Sequence, residues 1–168
     1  MNVLLREYQE RDHESCKHLW RELTQRHREI YSDPTIGGDD PGSYFETYLK
    51  KTNLRQLRVA EEDSVIVGMA GLLVDGDEAE IEPVVVRSGS RSKGIGTRLI
   101  EQLKVEAKRL GIRYLSIRPV TRNVEAIECF YRAGFLLLGR LEMFLDLTEE
   151  SPSDWQDGVT IHGYRFRY

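Results

Sequence analysis

The stretch RSKGIGT, residues 91–97, joins a run of valines to the clearest helical pattern in the chain. Two glycines, Gly94 and Gly96, flank one apolar residue, and basic residues stand just before them. A glycine loop between a strand and a helix points free backbone N–H groups at one spot, and the helix dipole adds partial positive charge there. The stretch therefore predicts an anion site that suits a pyrophosphate without a metal ion.

Two well-known phosphate loops do not fit this stretch. A dinucleotide fingerprint, G-x-G-x-x-G, needs a third glycine where Leu99 stands, and the following strand YLSIR lacks the acidic residue that would bind a ribose. A P-loop needs Lys followed by Ser or Thr where the chain has Ile95 and Gly96. A nucleotide-binding oxidoreductase therefore becomes a distant alternative.

The residues around the loop predict a strand–helix–strand unit. Residues 79–87 are typical of a strand, residues 97–110 place apolar side chains at helical spacing, and residues 114–118 form a strand that Pro119 stops. Because strands linked by a crossover helix run parallel, we expect these two to lie parallel in one sheet.

Further elements are predicted on both sides of this unit. Upstream, the patterns indicate a strand over residues 3–5, a helix N-capped by Asp12, a short helix over residues 43–51, and a hairpin of two strands, residues 57–60 and 65–74. Downstream they indicate a helix over residues 123–133 and strands over residues 135–138 and 143–147. We expect one domain over residues 1–147 and an extension over residues 148–168, whose end, VTIHGYRFRY, could extend the sheet, pair with a second subunit or form a loose arm.

Composition narrows the classes of function. The 168 residues are 40% hydrophobic and 31% charged, as expected for one folded domain. The net charge of −4 argues against general nucleic-acid binding, and no apolar run reaches the roughly 20 residues that span a bilayer. Because the N-terminus turns polar after Leu5, we expect a cytoplasmic protein without a secretory signal.

The cysteines and histidines indicate neither a disulfide framework nor a metal site. Cys16 and Cys129 form no CxxC pair, and both fall in helical patterns, where small buried thiols are expected. His13, His18 and His27 lack HExxH spacing. We therefore expect no metal.

Two motifs together resemble those of the GNAT N-acetyltransferase superfamily. RSKGIGTRLIEQL resembles the family's motif A, [QR]-x-x-G-x-[GA], with Arg91, Gly94 and Gly96 at its defined positions and serine at position 92, where many members have glycine. The segment NVEAIECFYRAGF resembles motif B, N-x-x-A-x-x-F-Y-x-x-x-G-F, with its aromatic pair, Phe130 and Tyr131, shifted by one residue. The remaining fixed positions of motif B are filled by Asn123, Ala126, Gly134 and Phe135.

The resemblance implies a fold and a donor substrate. The fold is an α/β mixed sheet of the GNAT acyltransferase type, with antiparallel N-terminal strands, a central parallel pair splayed around CoA, and flanking helices. Acetyl-CoA is the implied co-substrate, held by the backbone of the strand before the loop, by the loop amides and by the start of the following helix. By position, these cofactor-binding residues are Val84, Val85, Val86, Arg91, Ser92, Lys93, Gly94, Ile95, Gly96, Thr97 and Asn123.

Acyl transfer to an amine also needs a base and a source of protons. The amine must lose a proton, and the departing thiolate needs a proton or stabilisation. The resemblance implies a carboxylate base on the strand before the loop. Glu80 and Glu82 face the same side of that strand, and Glu82 is our first choice and Glu80 the second. Water chains are the alternative. Motif B register places Phe130 where many members have the acidic tyrosine, so Tyr131 is the nearest hydroxyl, about 100° further round the helix.

The acceptor is suggested only by charge. Asp33, Asp39 and Asp40 crowd one loop, and five more acidic residues lie between positions 75 and 82, so a cationic small amine is expected to be attracted there. A protein lysine or N-terminus is the alternative acceptor. A non-catalytic acyl-CoA sensor stays open as a second class, because the usual tyrosine is missing from its slot.

Overall fold

The computed structural model describes residues 3–145, 147 and 155–168. Within these residues the chain forms four α-helices: α1 (His13–Tyr31), α2 (Tyr44–Leu49), α3 (Ile95–Arg109) and α4 (Val124–Arg132). It also forms seven strands: β1 (Val3–Glu7), β2 (Leu57–Glu62), β3 (Val65–Asp75), β4 (Glu78–Val86), β5 (Tyr114–Ile117), β6 (Asp157–Ile161) and β7 (Tyr164–Arg167). In the described part of the chain, no helix has both the length and the apolarity that crossing a bilayer requires.

The first five strands build one mixed sheet in the order β1-β2-β3-β4-β5. Neighbours from β1 to β4 pair antiparallel, whereas β4 and β5 pair parallel across the α3 crossover. The predicted mixed sheet and its parallel pair are thereby confirmed.

Helices cover both faces of the sheet and divide the core into two. On one face, which we call the α3 side, α3 and α4 bury Leu99, Leu103 and Phe130 against β3 and β4. On the other, the α1 side, α1 and α2 bury Leu19 and Phe45 among aromatic neighbours. Each large side chain fully buried in this way contributes about 1.5–3 kcal/mol of hydrophobic stabilisation.

The parallel pair separates where the two strands approach the glycine loop. The β4–β5 ladder has only four pairs, from Glu78↔Tyr114 to Ile81↔Ile117. On its other edge, β4 stays paired with β3 as far as Val86↔Gly68. Beyond Ile81, therefore, one edge of β4 carries no strand of the described chain, and the space beside it is called here the β4–β5 gap.

The C-terminal end pairs with itself rather than with the main sheet. β6 and β7 form a separate two-stranded antiparallel hairpin. The Arg122 guanidinium ties it to the domain, lying 4.8 Å from the Tyr31 ring centroid and 5.8 Å from that of Trp155. Its Nε also donates to the carbonyl oxygen of Tyr168 at 3.0 Å. Strand character at the terminus was correctly predicted, but these residues do not extend the five-stranded sheet.

Two predicted strands after α4 are not present. Residues 135–138 form no strand, and neither do residues 143–145 or 147; Asp146, also within the predicted strand, lies outside the described residues. A strand needs a hydrogen-bonded neighbour, and apolar composition alone cannot supply one. The helical pattern over residues 123–133 predicts Ala126, Ile127 and Phe130 on the buried side of α4, yet Ile127 is 39% exposed.

Candidate active site

The backbone of β4 offers hydrogen-bonding groups to the β4–β5 gap. The Arg87 amide donates to the Val67 carbonyl on β3 at 2.8 Å. Because backbone groups of an antiparallel strand alternate between its two edges, Val85 also turns towards β3, whereas Val84 and Val86 turn towards the gap. Of the three valines predicted to hold the pantetheine arm, two therefore turn backbone groups towards the gap, where the Val86 carbonyl oxygen already accepts from Arg91 Nε. The Val85 side chain belongs to the core on the α1 side.

The loop after β4 has backbone conformations that form an anion cradle. Ser92 and Gly94 both lie in the left-handed region, with φ of 61° and 75°. Gly94 is also the N-cap residue of α3. Successive N–H groups in such alternating turns converge on one point, and the helix N-terminus adds its dipole to them. The loop backbone is therefore compatible with anion binding, and its role as a phosphate loop stays a prediction.

The first turn of α3 faces the gap through a residue without a side chain. A Cβ on Gly96 would lie 3.7 Å from Val86 Cγ2 and 3.9 Å from Cys129 Sγ, so Gly96 stands between β4 and α4. The Thr97 hydroxyl also lies 3.9 Å from Cys129 Sγ. Ile95, in contrast, is 2% exposed, so only its backbone can reach a ligand.

The two basic residues of the loop point in different directions. Arg91 Nε donates to the Val86 carbonyl oxygen at 3.1 Å, which holds this guanidinium beside the gap. Lys93 Nζ lies 3.6 Å from a carboxylate oxygen of Glu62 on β2. Arg91 is therefore the better placed of the two positive charges to face a phosphate in the gap.

Asn123, at the start of α4, is the last of the predicted cofactor-binding residues. Asn123 is the N-cap residue, and its side-chain oxygen accepts from the Ala126 amide at 3.2 Å. This hydrogen bond caps the first turn of α4. It leaves the Asn123 NH₂ group as the donor that could meet a ligand.

The two candidate bases, Glu80 and Glu82, lie on the α1 side of β4. Glu80 precedes the point where the gap begins, and Glu82 follows it. Glu80 is paired with Arg118, with 3.2 Å between carboxylate oxygen and guanidinium nitrogen. Burial raises the pKa of Glu80 above its ordinary value. The positive charge of Arg118 lowers that pKa in part, whereas the negative charge of Glu82 raises it further. Glu82 is exposed and follows the last β4–β5 ladder pair directly.

Sequence reasoning missed a buried hydroxyl beside these carboxylates. Tyr48 of α2 is 4% exposed, and its hydroxyl lies 3.4 Å from Thr52 Oγ1. That hydroxyl occupies the space where a Cβ on Gly71 would stand, next to the carbonyl of Glu82. Burial, and to a lesser degree the charge of Glu82, raise the pKa of Tyr48, so the group stays protonated. The sequence predicts only a short helix over residues 43–51 here, because nothing in its local pattern shows which strand Tyr48 meets.

The aromatic pair of α4 is divided between core and solvent. Phe130, in the slot where many relatives have tyrosine, is 9% exposed and packs in the core on the α3 side. Tyr131, one residue on, is 65% exposed. Because α4 is continuous from Val124 to Arg132, no local distortion turns Tyr131 inward.

The acidic loop before α2 is partly neutralised by its surroundings. Asp40 accepts from the Gly42 amide at 3.0 Å and from Arg21 at 3.3 Å, and Asp33 accepts from the amide and hydroxyl of Thr35. These contacts lower the pKa of both carboxyls and keep them ionised. In the described residues, no group of His, Cys, Asp or Glu is arranged to hold a metal ion.

Comparisons with known proteins agree with this geometry. The sequence profile of the acetyltransferase (GNAT) family matches residues 7–135. The crystal structure of a transcriptional regulator from Bacillus halodurans C-125 superposes with a TM-score of 0.64 at 26% identity, covering 86% of this chain and all of that one. The PaiA N-acetyltransferase from Thermoplasma acidophilum, in complex with coenzyme A, superposes with a TM-score of 0.66 at 18% identity, covering 80% of this chain and 89% of that one. The uncharacterized protein YdhI of Bacillus subtilis is 27% identical over 104 residues, which span 60% of this chain and 64% of that protein.

The chain therefore belongs to the GNAT acetyltransferase family, since the profile covers most of its length. The resemblance recognised from the two motifs is confirmed, and with it the expected class of protein, an acyltransferase.

Proposed function

We propose that the protein transfers an acetyl group from acetyl-CoA to a primary amine by direct attack in a ternary complex. The observation that carries this proposal is the β4–β5 gap, in which the free edge of β4 leads into the left-handed loop and the N-terminus of α3. Backbone of Val84 and Val86 pairs with the pantetheine arm, and the amides of residues 92–97 bind the pyrophosphate. Arg91 adds a full positive charge, and the amide group of Asn123 contacts the arm from α4.

The reaction is a simple exchange at the thioester carbon. The amine nitrogen forms a bond to that carbon, the carbon–sulfur bond breaks, and CoA leaves as a thiolate that takes up a proton. Glu82 accepts the amine proton directly or through water, since it lies where the gap opens; Glu80 is the second candidate, supported by its raised pKa. A backbone N–H of β4 stabilises the oxyanion.

The acceptor is a cationic small amine. Its support is the negative charge of Glu82, which is exposed where the gap opens, and that of Glu80 beside it, which Arg118 partly offsets. The test is release of CoA thiol from acetyl-CoA in the presence of a panel of amines. Di- and polyamines or aminoglycosides should support turnover, and turnover with neutral or anionic amines alone would contradict a cationic acceptor. Acetylation of protein lysines or N-termini in the same assay would instead identify a protein acetyltransferase.

Tyr131, although 65% exposed in the free protein, is kept as the proposed acid, which requires its hydroxyl to turn towards the sulfur once acetyl-CoA is bound. Substitution Tyr131→Phe should lower kcat by about 100-fold, the lower end of the effect of a general acid, and leave acetyl-CoA binding unchanged. Tyr114 on β5 is also exposed, so Tyr114→Phe is the matched control. It should change neither kcat nor acetyl-CoA binding. An unchanged kcat in Tyr131→Phe would remove Tyr131 from the mechanism.

A non-catalytic sensor is the second candidate. It is favoured by the phenylalanine buried in the usual tyrosine slot and by similarity to a protein described as a transcriptional regulator. Tight acetyl-CoA binding without thiol release for any amine would favour it over the enzyme.

A further inference from the structure

Strand β4 changes the face that it buries part-way along its length. Ile81 packs in the core on the α3 side, whereas Val85, further along the same strand, packs in the core on the α1 side. Because the side chains of a regular strand alternate between its two faces, positions 81 and 85 should face the same side. An irregularity between them therefore turns part of the strand over.

A β-bulge between these two residues causes the change. The ladder between β3 and β4 pairs position 72 with 81 and position 70 with 84, so Gly71 alone stands opposite Glu82 and Pro83. One extra residue on a strand shifts the alternation of its side chains by one position. The bulge thus leaves Glu82 on the α1 side, while Val84 packs on the α3 side. It also follows the last β4–β5 pair directly, so it lies where the gap opens.

The Tyr48 hydroxyl fills the space opposite the bulge. A Cβ on Gly71 would lie 1.7 Å from that hydroxyl oxygen and 2.8 Å from the carbonyl oxygen of Glu82, so both oxygens approach the same point. The Tyr48 ring is fixed in the core on the α1 side, with ring centroids 5.3 Å from Trp20 and 6.4 Å from Phe45. The hydroxyl therefore has little freedom to leave this space.

Hydrogen bonds connect the same hydroxyl to β3. Tyr48 donates to Thr52 Oγ1 at 3.4 Å, and Thr52 Oγ1 donates in turn to the Leu72 carbonyl oxygen at 3.4 Å. Burial raises the pKa of Tyr48, so the hydroxyl keeps the proton that this chain of hydrogen bonds needs. The residue next to Gly71 is thereby tied to α2, and the strand opposite the bulge is held in place.

We propose that Tyr48 is a positioning residue for acetyl transfer, whose hydroxyl supports the bulge of β4 and so holds the Glu82 carboxylate where the gap opens. This role rests on the proposed function, in which Glu82 is the first candidate base. Tyr48 acts through Glu82 and not on the substrates themselves. A catalytic group displaced by about 1 Å can lose roughly 100-fold in rate, so loss of the support should be visible in kcat.

Tyr48→Phe is the first test, because it removes only the hydroxyl. We expect kcat to fall about tenfold or more. The Kd for acetyl-CoA should stay within about twofold, since β4 is again paired with β3 from Val84 onwards. Tyr44→Phe removes an exposed hydroxyl from the same helix and should change neither quantity. A folded Tyr48→Phe protein with lower thermal stability but wild-type kcat would limit Tyr48 to packing and overturn the proposal.

Gly71→Ala tests the same contact from β3. Its methyl group would take the place of the hydroxyl oxygen, so both substitutions disturb one support. We therefore expect Gly71→Ala to lower kcat, and the double variant with Tyr48→Phe to lose no more activity than Gly71→Ala alone. Reductions in kcat that multiply in the double variant would give the two residues separate roles and contradict the proposal.

Hydrogen exchange separates this proposal from the proposed function. Amide exchange at Gly71 and Glu82, followed by NMR in the free protein, should be about tenfold faster in Tyr48→Phe than in wild type and unchanged in Tyr44→Phe. A wild type that releases no CoA thiol with any amine would refute acetyl transfer, yet the two amides would still decide whether Tyr48 supports the bulge. Wild-type exchange at both amides in Tyr48→Phe would overturn that support even in an active enzyme.

Discussion

At the scale of single residues, the electrostatics of the site centre on Glu80 and Arg118. The pKa of Glu80 is raised because burial disfavours its charged form, and Arg118 counteracts part of that effect. A carboxylate attracts a cationic amine or accepts a proton only when it is ionised. Activity that depends on Glu80 is therefore present above its pKa and falls as the pH drops through that value.

Removing the positive charge should move this pH dependence. In Arg118→Gln the pKa of Glu80 should rise further, so the fall of kcat/KM in acid should move to higher pH. In Glu80→Gln this fall should disappear. Arg113→Gln, which removes an exposed pair with Asp77, is the control and should leave the profile in place. The measurement is kcat/KM against pH for the four proteins, and a fall in acid that does not move in Arg118→Gln would show that Glu80 does not govern activity.

At the scale of elements, Asn123 combines a structural role with a proposed ligand role. Its side-chain oxygen caps α4, so Asn123→Ala should cost about 1 kcal/mol in the free energy of unfolding. Asn123→Asp keeps a capping oxygen but loses the amide donor. We expect it to retain stability while weakening acetyl-CoA binding by about tenfold, the value of one hydrogen bond.

Thermal unfolding and calorimetric titration measure the two effects separately. Equal acetyl-CoA affinity in Asn123→Asp and wild type would limit Asn123 to capping.

Elements with strong local signals were predictable from the sequence. The helical stripe of α3 and the glycine at its start are visible in consecutive residues, and the strand–helix–strand order implies the parallel pairing of β4 and β5. Two motifs then identified the family. Features that depend on distant neighbours could not be predicted from the sequence in the same way. Tyr48 reaches the site only because Gly71 leaves room for its hydroxyl. The run FLLLG indicates a strand without indicating which strand it would pair with.

At the scale of the whole molecule, one ion-pair cluster ties β1 to the chain entering α1. Arg6 contacts Asp12 at 2.6 Å and Glu61 of β2 at 2.6 Å, and Asp12 is 3% exposed. Burial alone would raise the pKa of Asp12, but hydrogen bonds from Arg6 and from the Gln9 amide hold it below its ordinary value. Asp12 was predicted as an N-cap and does precede α1, yet its carboxylate serves this cluster instead of capping the helix.

Breaking the cluster should destabilise the fold as a whole. Arg6→Gln leaves a buried carboxylate without its cation, which should cost about 3 kcal/mol in the free energy of unfolding at neutral pH. The loss should shrink in acid, because the stabilisation from a lowered carboxyl pKa is present above the unfolded value, about 3.9, and disappears as the pH falls through the folded one.

Urea denaturation of wild type and variant at several pH values provides the measurement. Arg132→Gln removes an exposed pair with Glu128 and should cause no measurable change. An equally small effect of Arg6→Gln would mean that the cluster does not hold β1 in place.

The central claim is that the gap beside β4, the glycine loop and the start of α3 form one acetyl-CoA site, and Gly96 tests it most directly. A Cβ there meets only ordinary contacts in the free protein, so Gly96→Ala should leave thermal stability unchanged. The same methyl group projects into the space proposed for CoA and should weaken acetyl-CoA binding at least tenfold, by about 1.4 kcal/mol, in a calorimetric titration. Gly89→Ala, whose Cβ would meet nothing within 4 Å, should change neither property. Wild-type affinity for acetyl-CoA in a folded Gly96→Ala protein would contradict the site.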